Sequence, residues 1–256
     1  MKIHFVICLE FIRLGLIVPS SNTTMEHEFC RMVPSNATVH SERMKMSQYA
    51  TTRNVKDLET MEVDSIRAAA YLADAMVQVI GYGCTSGSLA RGHNHDNVIV
   101  SRIREATEIP AVTTSGAMVE ALDFLKVKKL SVATPYCEEV NNMTVKFLES
   151  HGFHVLKVES GDFLNESPDN IKIGKQPPAV AYGLAKKAYM PEADGIFIGC
   201  TNFRTIEIIE KLESELKKPV VSSNTATLWS MLRKVSFKNN VKGYGCLLER
   251  TCVQKR

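Results

Sequence analysis

The chain has 256 residues, 45% of them hydrophobic and 23% charged, with a formal net charge of +3. This is the composition of an ordinary globular protein long enough for one large core or two small ones, and its basic residues are too evenly spread to mark a nucleic-acid footprint. No stretch reaches the ~18 uncharged apolar residues of a membrane span, which sets membrane roles aside as well.

The apolar opening before Pro19 is interrupted by Glu10 and Arg13 and has no small-residue cleavage site, so it reads as an extension leading into a strand over 14–18. A polar turn follows from Pro19, with Thr23 or Thr24 as N-cap and Glu26 and Glu28 in the first turn of a helix. The pattern then predicts a strand over 37–43, a polar loop over 44–56 and an amphipathic helix over 57–75. An apolar strand over 77–81 leads to Cys84, followed by a helix over 97–107, a strand over 111–114 and a helix over 117–124.

The second half repeats this order. Strands are predicted over 130–133, 153–158, 195–198 and 220–222. Helices are predicted over 138–150, 179–189, 206–216 and 226–235, with a long polar loop over 160–178. His151-Gly152 is a good helix stop. Pro19 and Pro135 lie 116 positions apart, and so do Cys84 and Cys200. Agreement at separate anchors argues for an internal duplication.

Apolar strands alternating with helices call for parallel sheets joined by right-handed crossovers. The expected fold is therefore α/β, with two pseudo-symmetric flavodoxin-like domains, each carrying a four-stranded parallel sheet, and the active site between them. The domains are expected at 1–115 plus 225–256, whose tail returns to the first sheet, and at 116–224.

Two Cys-Thr steps carry the chemistry: Cys84-Thr85 in IGYGCTSGS and Cys200-Thr201 in IFIGCTNFR. Both stand at carboxyl ends of strands, where open α/β sheets place their ligands. The small residues around Cys84 let backbone N–H groups converge on an anion, an environment expected to lower the thiol pKa. Thr201 and Asn202 offer donors beside Cys200. Asn22 and Tyr136 occupy matching loops after the first strand of each half, placed to grip a small anion. Asn170 lies in the long loop, which is long enough to act as a lid. The remaining cysteines read as structural: seven is an odd number without a CxxC pair, which fits reduced thiols in the cytoplasm.

His93 and His95 do not form a helix-face metal pair, and no metal is expected. No GxGxxG follows the first strand and no GxxxxGK[ST] occurs, so no nucleotide cofactor is expected; no GxSxG signals a hydrolase.

The stretches GLIVPSSNTTMEHE, SPDNIKIG, VATPYCEEVN and KGYGCLL resemble the aspartate/glutamate racemase superfamily, in the branch of maleate cis-trans isomerases and arylmalonate decarboxylases. The resemblance covers nearly the whole chain. It implies a cofactor-free enzyme, a small dicarboxylate substrate and a homodimer. Cys84 would be the nucleophile that adds to maleate and Cys200 a second thiol managing a proton. Asn22, Tyr136 and Asn170 would hold the carboxylates. Thr85 and Ser86 are similar to the decarboxylase arrangement, in which Thr, Ser and Tyr donors form a dioxyanion pocket; those decarboxylases have glycine at the position of Cys84. A two-cysteine amino-acid racemase, a decarboxylase and a non-catalytic dicarboxylate-binding protein stand as the alternatives.

Overall fold

The structure, a computed structural model, describes residues 11–46, 55–161, 163 and 171–249, with backbone alone for 55–59. The first half runs β1 (Ile12–Pro19), α1 (Met25–Met32), β2 (Ala37–Met44), α2 (Val55–Asp74), β3 (Val79–Tyr82), α3 (Thr85–Leu89), α4 (His95–Thr107), β4 (Ala111–Thr113) and α5 (Thr114–Phe124). The second runs β5 (Lys129–Thr134), α6 (Glu138–Ser150), β6 (His154–Ser160), α7 (Ile171–Gly174), α8 (Pro178–Ala188), β7 (Gly195–Ile198), α9 (Ile209–Leu216), β8 (Val220–Ser222), α10 (Ser223–Lys234) and α11 (Cys246–Glu249). Residues 1–10, Asn170 and the tail beyond 249 lie outside the described residues.

Each half holds a four-stranded sheet, in the orders β2-β1-β3-β4 and β6-β5-β7-β8, and every pairing is parallel. The two orders are the same, as a duplicated α/β architecture requires. Strand alternation sorts side chains onto two faces. On β1, Leu14, Leu16 and Val18 enter a core that continues into the second half, where Leu130, Val132 and Phe197 belong to it. Ile17 points the other way, toward a separate outer core with residues of α2 and α4. The second half has its own outer core around α8 and α9.

The shared core is built on α5 and α10, which pack on each other. Every residue of α10 from Ser223 to Leu232 is buried, and the helix also lies on β3 and β4 of the first sheet. Gly81 permits that approach: a Cβ there would stand 2.6 Å from Met231 Sδ. Among the described residues no helix is long and apolar enough to cross a membrane.

Three helix starts lie three residues from the expected ones, each for a local hydrogen-bonding reason. Thr114, expected to end a strand, and Ser223, expected in a connection, each open the first turn of a helix. Thr113 caps the first by accepting from Gly116 N, and Ser222 forms a capping box with Thr225 on the second. α9 starts at Ile209 and not at 206, because the N–H groups of Thr205 and Ile206 turn toward a carboxylate, Glu28. Among its described residues the polar loop of the second half contains one short helix, α7. Gly152 takes φ +82°, as a helix stop demands.

Candidate active site

The carboxyl ends of β3 and β7 open onto one cavity of about 40 Å³. Cys84, Thr85 and Ser86 line it from the first half, and Tyr136, Cys200 and Thr201 from the second. Asn22 joins them from the turn after β1, with Met46, Ile173 and Asn202 closing the walls.

Cys84 is the N-cap of α3 and has relaxed, extended φ of −142°. Its Sγ accepts from Gly87 N at 3.3 Å and lies 3.9 Å from Ser86 Oγ. Its carbonyl is gripped by Ser88 Oγ at 2.7 Å. Burial pushes the thiol pKa up, although the Gly87 N–H and the Ser86 hydroxyl act to lower it. The donors expected to make a thiolate are present, but desolvation outweighs them, so the expectation of a lowered pKa does not hold.

Cys200 has φ +90°, a left-handed backbone that a side chain rarely adopts. Burial pushes this thiol up to about 12, opposed by hydrogen bonds from Asn202 N, the Tyr136 phenol and Phe203 N, and assisted by the neighbouring Cys84. The two thiols are thus close enough to feel each other. Tyr136 lies in hydrogen-bonding reach of Thr85 and Cys200, and its phenol is held far above its ordinary pKa by burial and by both cysteines. One neutral phenol therefore connects the two Cys-Thr steps.

The other polar residues are more committed than a simple donor list implies. Thr24 is the N-cap residue of α1, as expected, but its side chain makes no capping bond; Asn22 Oδ1 instead accepts from the N–H groups of Thr24 and Met25, both at 3.0 Å. Its Nδ2 donates to Thr201 Oγ1 at 3.0 Å. Thr201 in turn donates to the carbonyl of Gly83 at 3.1 Å, beside Cys84. Thr85 Oγ1 lies 2.9 Å from Ser223 Oγ at the start of α10. Ser86 has no bond as close, which leaves its hydroxyl the most available of the set.

Reading the chain by itself singled out neither Met46 nor Ile173, nor the support given by Ser223 and Asn224. Met46 and Ile173 look like any core residue in a sequence; only the tertiary fold brings them to the cavity. The polar start of α10, SNTAT, was the available signal, since five small or polar residues in a buried helix have to serve something besides packing. Among the described residues no group of three or more His, Cys, Asp or Glu could hold a metal. His95 lies 3.5 Å from Glu62, in a cluster with Arg91 and Arg102 that does not line the cavity.

Two like-ordered parallel sheets, each delivering a cysteine from the equivalent strand end to one shared cavity, define an enzyme of the aspartate/glutamate racemase superfamily. The chain belongs, within that superfamily, to the arylmalonate decarboxylase family, whose description matches residues 14–248. It is similar to the maleate isomerase of Pseudomonas putida, with 32% identity over 252 residues covering 93% of this chain and 98% of that one. The crystal structure of the maleate isomerase Iso from Pseudomonas putida superimposes with a TM-score of 0.87 at 30% identity, covering 94% and 99% of the two chains. A Cys-to-Ser mutant of the Nocardia farcinica maleate cis-trans isomerase, solved with a covalently bound succinylcysteine intermediate, superimposes with a TM-score of 0.85 at 27% identity, covering 94% and 99%.

Proposed function

We propose that this enzyme isomerises maleate, or a close cis-dicarboxylate, to fumarate by cysteine catalysis, with Cys84 as the nucleophile. The observation that carries the reading is the pair of buried thiols facing one small cavity and joined through Tyr136. The succinylcysteine in the Nocardia farcinica relative supports a covalent route.

Cys84 first gives its proton to solvent, and its Sγ thiolate then forms a bond to C2 of the substrate. The C2–C3 π electrons move onto C3 and its carboxylate as an enediolate. The C2–C3 link is now single and turns. Return of the electron pair re-forms the double bond, expels the thiolate and leaves the trans product. Charge develops on a carboxylate in this step, so oriented donors count most there. Tyr136, Ser86 and the Asn22 amide are the donors we assign to that task. Cys200, the second thiol lining the cavity, is the group we assign to give its proton to C3 of the enediolate and to take it back before the thiolate leaves. Both thiols are raised by burial, so the reactive thiolate is the minor form at neutral pH, and turnover rises with pH.

The Thr85–Tyr136 contact is the observation that favours a second reading, decarboxylation of a malonate at a dioxyanion pocket. Cys84 weighs against it, since the decarboxylase pattern has glycine there. Proton NMR of the purified protein in D₂O separates these readings. Fumarate from maleate supports the isomerase; exchange at Cα of aspartate would point to a racemase, and CO₂ release from an arylmalonate to a decarboxylase. No fumarate would refute the proposal. We further infer a cytoplasmic homodimer, because the chemistry needs reduced thiols and the family resemblance implies pairing; sedimentation of the purified protein tests the dimer.

A further inference from the structure

One buried carboxylate has no part in the chemistry above. Glu28 projects from α1, is only 1% exposed, and reaches into the loop that follows Cys200. Its Oε1 accepts from Thr205 N at 2.6 Å and Ile206 N at 3.2 Å. Its Oε2 accepts from Asn224 Nδ2 at 2.6 Å, with Thr205 Oγ1 3.4 Å away. The same Asn224 amide donates to the carbonyl of Thr201 at 3.2 Å, one residue from Cys200. Asn224 Oδ1 has no partner among the described residues, so the amide is oriented only by what it donates to.

Burying a charge is costly, and a space that merely needed filling would be better served by an apolar side chain. A carboxylate is the side chain that accepts from several converging N–H donors while offering none itself. The loop it grips has an unusual need. Cys200 at φ +90° is in a conformation that persists only when its surroundings over-determine it.

We propose that Glu28 is a positioning residue for Cys200: through Thr205, Ile206 and the Asn224–Thr201 bridge, its carboxylate holds the loop that presents the second thiol to the cavity. The inference rests on the reading of Cys200 as a catalytic thiol. The grip is sensitive to pH. Burial raises Glu28 to about 7, against the lowering by Asn224, Thr205 N and Ile206 N and with a further push from Glu207. Glu207 is itself tied to Arg31 at 2.6 Å and Arg204 at 3.3 Å. Protonation near neutrality therefore removes charge from an acceptor that three N–H groups share.

The test is Glu28→Gln, assayed for maleate turnover across pH and for iodoacetamide labelling of Cys200 relative to Cys84 by peptide mass. Misplacing a reacting group lowers kcat by about 10- to 100-fold, with KM little changed. Wild-type activity should carry an extra acid limb near pH 7, beyond the thiol dependence, that the variant lacks. The variant should also label faster at Cys200 relative to Cys84, because its loop is looser. Asn224→Ala keeps the backbone donors but removes one that favours the charged carboxylate, so its acid limb should move to higher pH. If the wild-type chain does not turn over maleate, the functional reading falls, and the labelling ratio alone decides the role of Glu28. A folded Glu28→Gln with the wild-type pH profile and labelling ratio would overturn the proposal. If that variant does not fold, unmoved labelling and an unmoved limb in Asn224→Ala would overturn it instead.

Discussion

The two cysteine loops occupy equivalent strand ends yet are held in opposite ways. The Cys84 loop turns straight into α3 with relaxed backbone, and much of its support comes from within, through Gly87 N and Ser88 Oγ. The Cys200 loop is strained at φ +90° and leans on the other half of the molecule. Thr23 N donates to Asn202 Oδ1 at 2.9 Å, Thr24 Oγ1 to Asn202 O at 3.0 Å, and Glu28 takes the next N–H groups. One loop is held largely from within, with Thr201 and Ser223 reaching its edges, whereas the other depends on docking between halves. On the roles proposed for them, the nucleophile gains from a rigid local seat, whereas the thiol that handles a proton must be placed by whatever positions the halves.

That contrast can be broken at several points. Cys84→Ala should abolish turnover, a loss of more than about 10⁴-fold, because among the described residues no other thiol lines its side of the cavity. Cys200→Ala should cost about 10²–10⁴-fold, the range for a proton-transfer group; equal losses in both variants would mean that the thiols share one role. Tyr136→Phe removes the bridge between the loops and one donor, with an expected loss of about 10²-fold in kcat. A loss confined to KM would reassign the phenol to simple binding.

Stability offers two further tests. Glu28 is an acid whose folded pKa is raised from 4.5 to about 7, so the folded state binds more protons than the unfolded chain between those values. Stability from this group is therefore greatest below 4.5, falls as pH rises, and is lost above about 7; the difference is on the order of 3 kcal/mol. Glu28→Gln should flatten that slope in chemical denaturation while lowering activity, a combination that a purely structural residue would not produce. The smallest effect concerns backbone strain. Cys200→Gly should be more stable than Cys200→Ala by about 1 kcal/mol, since glycine accepts positive φ freely. At Cys84, with φ of −142°, the order should reverse. Thermal melts of the four variants decide whether the strain is confined to one loop.

Much of the architecture was legible because it is written in local patterns. Apolar strands, amphipathic helices and the equal spacings of Pro19/Pro135 and Cys84/Cys200 sufficed to expect two like parallel sheets, and the structure shows two of the same order. The starts of α5 and α10 were missed because Thr-Ser-Gly and Ser-Asn-Thr are poor helix formers unless capped, and the caps act only once the preceding strand is in place.

The sequence by itself determined the alternation of elements, the duplication and the pair of Cys-Thr steps, since hydrophobic period and spacing act over a few residues or repeat outright. Only the tertiary structure decided the rest. Glu28 finds its partners 177 to 196 positions away. Asn22 is drawn into a link with Thr201 across the halves, and burial reverses the shift expected for Cys84 and pushes Cys200 up as well. Desolvation depends on everything that packs around a group, and no local pattern carries that information.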